Sequence, residues 1–494
     1  MSDTLNFNII KNKVVKSPSL AISFAPIVAL LAFLGAVIIF LGAGAISDFS
    51  HLALLSAAVL AVVLAFFTGS ICRRGMIIGM RRSARQILPA VPMLIFIAMV
   101  ATTWMLSGVV PTLIDLGLRM LNPTFFLVIT CAVCAVISVL TGSSWSTIAT
   151  IGVAFMGIGT VMGFNTAWIA GAIISGAYFG DKVSPLSDTT VVASSACGVD
   201  LFKHIRYLLL TAMPAMIIAL IIFFIMGLNV TPTSDIAIDD ILAQLHTTFN
   251  ISAWTLLIPA ITLTLIALRV PTLTVLFASG LMGLVGVFVF QPAIAANLLA
   301  AAEGNHTAMM WKLLWSETLF DTGNAMFDDL CTTSGITGML PTVALVLCAM
   351  LFGTAMIGTG MLGTITQSLT RRLHGRFALV GSTVASGLCL NSCTADQYLS
   401  IIIGGNMFRN AYRRMGLEPK LLSRTLEDSV SVTSVLIPWN SCGVTQSTVL
   451  GVATLAYLPF CFFNILSPVM TLVMAFTGFK IRQAVHAIRP AAAA

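Results

Sequence analysis

Long stretches without a charged residue alternate with short polar knots along this chain. Uncharged stretches at about 20–45, 52–70, 88–110, 206–228, 253–268, 272–290, 340–370 and 455–479 read as helical spans. Four further apolar segments, 123–140, 145–162, 377–390 and 397–408, are joined in pairs by TGSSWS at 141–146 and NSCTADQ at 391–397. A span needs roughly 20 residues, and the last two segments fall short of that. Each pair is therefore expected to form a re-entrant hairpin whose tip reaches mid-membrane. Segments 163–200 and 421–452 are interrupted by charge and proline, and are expected to be single broken spans.

Composition sharpens this picture. Of 494 residues, 58% are hydrophobic and 9% charged, against roughly 25% charged in soluble proteins. A polytopic all-α membrane protein follows. The net charge of +7 does not point to nucleic acid, because the basic residues sit in short clusters at span ends. Lys11, Lys13 and Lys16 precede an uncharged first stretch of 26 residues, too long for the apolar core of a cleaved signal. Cys131-x-x-Cys134 stands alone among apolar neighbours and reads as packing, and the histidines fall in apparent loops or span ends.

The clusters Arg73/Arg74, Arg81/Arg82/Arg85, Lys203/Arg206, Arg371/Arg372/Arg376, Arg409/Arg413/Arg414 and Lys480/Arg482 are expected on the cytoplasmic side. The segment 229–252, with Asp235, Asp239 and Asp240 and no Lys or Arg, is expected outside as a loop. Asp115, Arg119, Asp321, Asp328 and Asp329 also read as external surface. Ten crossings plus two hairpins satisfy all of these, with both termini cytoplasmic in a bacterial inner membrane. The expected organisation is a cytoplasmic segment 1–19, a first repeat 20–228, the external loop 229–252, a second repeat 253–482 and a tail 483–494.

The halves resemble each other. AMVATTWML at 98–106 is similar to AMLFGTAMI at 349–357, DKVS at 181–184 to DSVS at 428–431, and the hairpin tips start at 141 and 391. These offsets of 251, 247 and 250 residues (349 − 98, 428 − 181, 391 − 141) suggest two inverted-topology repeats. Broken helices in matching positions are typical of alternating-access carriers with a midplane site.

The candidate chemistry lies in GAYFGDKVSPLSDTT, starting at Gly176. Charge and broken helix are both costly in hydrocarbon. Asp181, Asp188, Asp396 and Asp428 are the expected proton/cation exchange groups. Ser143, Ser144, Ser184, Thr189, Thr190, Asn391, Thr394, Glu427 and Asn440 are expected to line the path, with Na⁺ held by Asp181, Asp188, Asn391 and Asp396. Hard oxygen ligands suit such a cation. A carboxyl group in a low-dielectric site can take up either a proton or a cation near neutrality, which yields antiport. The competing bland readings are an Asp181–Lys182 ion pair, Asp188 as a helix cap, and Glu427 or Asp428 bridged to Arg424.

GAYFGDKVSPLSDTT with GVDLFKHI at 198–205, TTWMLSGVVPTLI at 102–114, and the block running from Ala395 to Val452 resemble the signatures of the NhaC-type sodium/proton antiporter family. That resemblance implies the ion transporter superfamily fold and no cofactor. It implies Na⁺ and H⁺ as transported ions and places Asp181, Asp188, Asp396 and Asp428 on the signature acids. Val183 and Val191-Val192 depart from the family pattern. A sodium- or proton-coupled carrier of a small organic acid or amino acid is the alternative function, and a homodimer is an admissible assembly. An intramembrane aspartyl protease would need GxGD where this chain has YFGD.

Overall fold

The computed structural model describes residues 17–42, 45–70, 90–229, 235–320, 331–370 and 375–481, with 76, 77, 80, 81, 84, 322, 327 and 328 between them. The expectations for Lys11, Lys13, Lys16, Arg73, Arg74, Arg82, Arg85, Asp321, Asp329, Arg371, Arg372, Arg482 and the 483–494 tail lie outside these residues.

The described chain is helical, apart from an isolated antiparallel bridge between Thr318 and Thr333. Eight of its helices are long and apolar enough to cross a membrane, and up to eleven if each of three bent pairs is one span. One such pair, Val91–Leu106 with Val109–Met120, turns by 66° and takes the place of a single span at 88–110. Gly108 makes the corner with a φ of 81°, and a Cβ there would lie 2.2 Å from Gln291 Nε2. Only glycine fits both demands. The Gln291 amide donates to the Asn250 carbonyl at 3.0 Å, which braces this corner.

Several boundaries differ from the sequence reading. The 340–370 stretch divides into Leu340–Gly358 and Met361–Thr370. The 229–252 segment carries a helix, Asp235–Thr248, instead of an irregular loop. Asp115 and Arg119 sit in the helix Val109–Met120 as a 3.0 Å i,i+4 ion pair. The second hairpin's arms are also longer than expected: Arg376–Thr394 has 19 residues and Gln397–Arg414 has 18. Several of their polar positions break an apolar pattern without breaking a helix, because the side chains are partnered within the protein. Ser382 donates to the Leu369 carbonyl and Thr383 bonds to Tyr412.

The tightest packing joins Pro123–Thr141 to Thr166–Val183. Gly176 and Gly180 face the Cys131 and Ala135 carbonyls, so close that an added Cβ would fall 2.1 and 2.3 Å from those oxygens. Small residues four apart let two backbones touch, the usual device for helices in lipid. Because 176 meets 131 and 180 meets 135, the two helices run parallel. The tip of the first hairpin therefore arrives level with the end of Thr166–Val183.

Helix boundaries recur at a constant spacing. Pro123–Thr141 and Arg376–Thr394 begin and end 253 residues apart (376 − 123, 394 − 141). Asp188–Cys197 and Ser441–Leu450 do the same (441 − 188, 450 − 197). The hairpin turns match as well, since Gly142 and Ala395 both adopt left-handed backbone (395 − 142 = 253). This register differs from the 247-residue offset that pairs DKVS with DSVS. At that spacing Asp181 falls against Ser434 (434 − 181 = 253) and Asp428 against Ser175 (428 − 175 = 253).

Candidate functional site

The first break is chemical in origin. Thr166–Val183 stops at Ser184, Pro185 has no amide hydrogen to continue the ladder, and the helix resumes at Asp188. Local side chains satisfy the freed backbone. Ser184 Oγ donates to the Val139 carbonyl (2.7 Å) and accepts from the Leu186 amide (3.2 Å), while Thr190 donates to the Lys182 carbonyl (3.1 Å). Asp181, in the last turn before the break, accepts from the Ser144 amide (3.2 Å) and hydroxyl (2.7 Å) at the hairpin tip.

The second break is longer. Pro419–Leu426 widens into a π turn at Glu427–Ser431, and an α-helix resumes only at Ser441. Such π turns are concentrated at functional sites. Asn391 donates to the Val430 carbonyl (2.7 Å), and Asn440 donates to the Asn391 carbonyl (3.2 Å) while capping the Cys442 amide.

Between the breaks lies a narrow cleft, lined by Asp181, Lys182, Thr189 and Tyr178 from the first half. Gln397, Glu427, Ser431 and Val432 close it from the second. Glu427 is fully buried, and neither of its carboxylate oxygens has a hydrogen-bond partner. The Ser431 hydroxyl and the Tyr178 phenol are likewise buried without partners. A buried charged group without partners is costly, so this arrangement calls for a cation or a proton.

Lys182 does not pair with its neighbour Asp181, because successive residues on a helix point about 100° apart. Its ammonium instead pairs with Asp428 and donates to Ser467 Oγ at 2.6 Å. Asp428 also accepts from Ser467 (2.8 Å), Thr211 (3.0 Å) and Thr471, and Arg424 Nε stands 4.0 Å away. Asp428 is thus fully engaged on the far side of Lys182 from the cleft.

The other expected residues divide clearly. Asp181, Thr189 and Glu427 line the cleft, and Ser144 holds Asp181. Asp188 is exposed at the start of the resumed helix, where Ser187 occupies the cap position. Asp396 caps Gln397–Arg414 by accepting from the Leu399 amide at 2.7 Å, as Ser143 caps the matching helix. Thr394 closes the second hairpin turn onto the Asp396 carbonyl and Ser400. Asp188, Asn391 and Asp396 are outside the cleft lining, so the expected four-residue Na⁺ set does not surround this cleft. Tyr178 and Gln397 line it without having been singled out, whereas Ser431 was expected at the second break. Thr211, Ser467 and Thr471, around Asp428, were legible only as isolated polar positions in apolar spans.

Over most of its length the chain is similar to known secondary transporters. A model of the Na⁺/H⁺ antiporter family matches residues 4–200 and 176–479. The chain is 38% identical over 389 residues to the Na⁺/H⁺ antiporter NhaC of Alkalihalophilus pseudofirmus, covering 78% of this chain and 82% of that protein. It is 32% identical to a malate-2H⁺/Na⁺-lactate antiporter of Bacillus subtilis (79% of this chain, 81% of that one). It is 33% identical to the arginine/ornithine antiporter ArcD of Halobacterium salinarum (94% and 93%). A multi-span helical protein with paired helix breaks around an acidic cleft, matched over nearly its whole length, belongs to the Na⁺/H⁺ antiporter (NhaC) family of secondary transporters.

Proposed function

We propose that the protein exchanges cytoplasmic Na⁺ for external H⁺ across the bacterial inner membrane by alternating access. The observation that carries this reading is the partnerless, buried Glu427 carboxylate sharing one small cleft with Asp181. Oxygen ligands from Asp181, Glu427, Ser431, Thr189 and the Gln397 amide suit a hard cation. In the return step, protons take the place of Na⁺ on the two carboxylates. The cleft's lysine is neutralised by Asp428, so an organic anion would meet two acids there and no free cation.

The architecture in this reading is a pair of inverted repeats, and the 253-residue recurrence of helix bounds supports it. Contacts at the helix ends support opposite entry of the two hairpins. Arg376, which begins the second hairpin, donates to the Ala475 carbonyl, and Arg409 in its returning arm reaches the Ala196 carbonyl. Both contacts lie on the face that carries Lys203, Arg206 and Lys480, which the positive-inside rule makes cytoplasmic. The first hairpin starts at the other face, where Gly227 packs on the Thr124 carbonyl.

The test uses purified protein in liposomes loaded with Na⁺. Dilution into Na⁺-free buffer should acidify the lumen with no organic solute present, and Glu427→Gln should abolish the signal. A parent protein that moves protons only when malate, lactate, arginine or ornithine is added would overturn the reading.

A further inference from the structure

The half-helix Ser441–Leu450, which resumes after the second break, does not pack around its whole circumference. Val444, Ser447, Thr448 and Gly451 recur at i, i+3, i+4 and i+7, so they form one stripe along it. That stripe is a wall of a cavity of about 340 Å³. Thr342 and Leu345 of Leu340–Gly358, with Ser50 of Ile46–Thr68, also line it. Pro438, in the break itself, marks its inner end.

The cavity lies on the side away from the basic face. Phe460 meets Trp168 and Gly171 near the start of Thr166–Val183, at the face where the first hairpin begins. Exposure falls inwards along the stripe: Gly451 is exposed, Ser447 and Thr448 are half-buried, and Val444 is buried. The ten-residue half-helix rises about 15 Å, half the thickness of the hydrocarbon. None of the described lining residues is charged, while Ser50, Thr342, Ser447, Thr448 and Thr454 bring hydroxyl groups. At about 30 Å³ for each water there is room for roughly ten, enough for a small cation with its hydration shell. Hydroxyl oxygens suit such an ion without trapping it, and an organic anion meets no fixed cation on these walls.

Three successive residues seal the inner end from the cation cleft. Trp439 Nε1 donates to the Ser392 carbonyl at 2.8 Å and Asn440 Nδ2 to the Asn391 carbonyl at 3.2 Å. The Ser441 amide donates to the Ala395 carbonyl at 2.9 Å. All three acceptors belong to the second hairpin's tip, next to Gln397 of the cleft. Trp439 shares an apolar cluster with Val444 and Leu345 of the cavity wall, so its indole stands between the two spaces. The half-helix leading to the basic face is arranged otherwise. Val191, Ser195 and Gly198 stand 253 residues before Val444, Thr448 and Gly451 (444 − 191, 448 − 195, 451 − 198), and all three are exposed. Leu186, at the Trp439 spacing (439 − 186), has no side-chain donor.

We infer that the cavity is the external half of the Na⁺ path, a vestibule for the hydrated ion, and that Trp439 is its inner gate. The inference rests on the antiport reading above. Na⁺ leaving the cleft enters the vestibule when residues 439–441 part from the hairpin tip, and passes out beside Thr448 and Gly451. Trp439 is a positioning residue here, because its bond to Ser392 holds the closed arrangement.

The experiment uses the full chain in right-side-out and inside-out membrane vesicles from cells without other Na⁺/H⁺ exchange. A membrane-impermeant cationic thiol reagent is added, and labelling of each introduced cysteine is counted above that of the parent. Ser447→Cys and Val444→Cys should be labelled from the external side, and labelling should cut each variant's own Na⁺/H⁺ exchange at least fivefold. Ser195→Cys should be labelled from the cytoplasmic side instead. Trp439→Phe keeps an apolar ring but removes the donor, and one lost hydrogen bond shifts an equilibrium by about two- to tenfold. External labelling of Gln397→Cys, behind the gate, should quicken by that factor when Trp439→Phe is added. No external labelling at either cavity position, or labelling without effect on exchange, would overturn the vestibule. An unaltered Gln397→Cys rate would overturn the gate. A parent protein lacking Na⁺/H⁺ exchange sinks the antiport reading instead, and external labelling at both cavity positions would still support the vestibule.

Discussion

Lys182 of the first broken helix is bonded to Asp428 of the second, 246 residues away, and not to the adjacent Asp181. This pair clamps the two halves together beside the cleft and leaves Asp181 and Glu427 as the acids that face it. It also makes Asp428 a neutralising group for Lys182, with its oxygens already taken by Thr211, Ser467 and Thr471.

Removing one partner from a buried ion pair strands the other charge, at a cost of roughly 3–5 kcal/mol. Asp428→Asn and Lys182→Met should therefore each sharply lower the unfolding temperature in detergent. The double variant should recover most of the loss, because no uncompensated charge remains. Thermal denaturation of the four proteins provides the cycle. Additive losses would mean that the two side chains do not depend on each other.

Ser431 and Thr189 offer hydroxyl oxygens to the cleft without carrying charge. Ser431→Ala and Thr189→Val should raise the KM for Na⁺ by about five- to thirtyfold, the equivalent of roughly 1–2 kcal/mol for one lost polar contact. The maximal rate should change little, since both carboxylates remain in place. Initial rates of luminal acidification across Na⁺ concentrations measure both quantities. A fall in maximal rate at constant KM would place these hydroxyls outside the ion's coordination.

The helical, multi-span nature of the chain was plain from its uncharged stretches, and both helix breaks were visible at Pro185 and at IPWN. Which acids face the cleft was not. Glu427 and Asp428 are neighbours in sequence, but the π turn sends one to the cleft and the other to Lys182. Widening of a helical turn leaves no trace in hydropathy. His204 looked like a span-end histidine because the helix begins at Leu201, six residues before the uncharged run that starts at Tyr207. Its burial comes from Ser423, 219 residues away, a contact no local pattern encodes.

The close approach of Thr166–Val183 to Pro123–Thr141 depends on two absent methyl groups. An added Cβ at Gly176 or Gly180 would meet backbone oxygen, which cannot rotate away. Gly176→Ala and Gly180→Ala should each destabilise the protein by about 1–3 kcal/mol, the usual cost of overpacking. Because Gly180 precedes Asp181, its variant should also disturb the Ser144–Asp181 hydrogen bond and reduce exchange more than Gly176→Ala does. Unfolding temperature and exchange rate, measured on the same preparations, test the order.

Asp396 and Ser143 lie 253 residues apart (396 − 143), the spacing at which helix bounds recur, and each caps the helix that follows it. The matching turns extend further. Thr141 and Thr394 donate to the carbonyls of Ser143 and Asp396, and Ser144–Asp181 in one half corresponds to Gln397–Ser434 in the other. If Asp396 serves as a cap, serine should replace it at little cost, since Ser and Asp are nearly equal at that position. Asp396→Ser should then keep the parent's unfolding temperature and exchange Na⁺ for H⁺ within about twofold, whereas Asp396→Ala should lose about 1 kcal/mol of stability. A tenfold fall in exchange by Asp396→Ser, with unchanged unfolding, would instead require that carboxylate to take part in moving the ion.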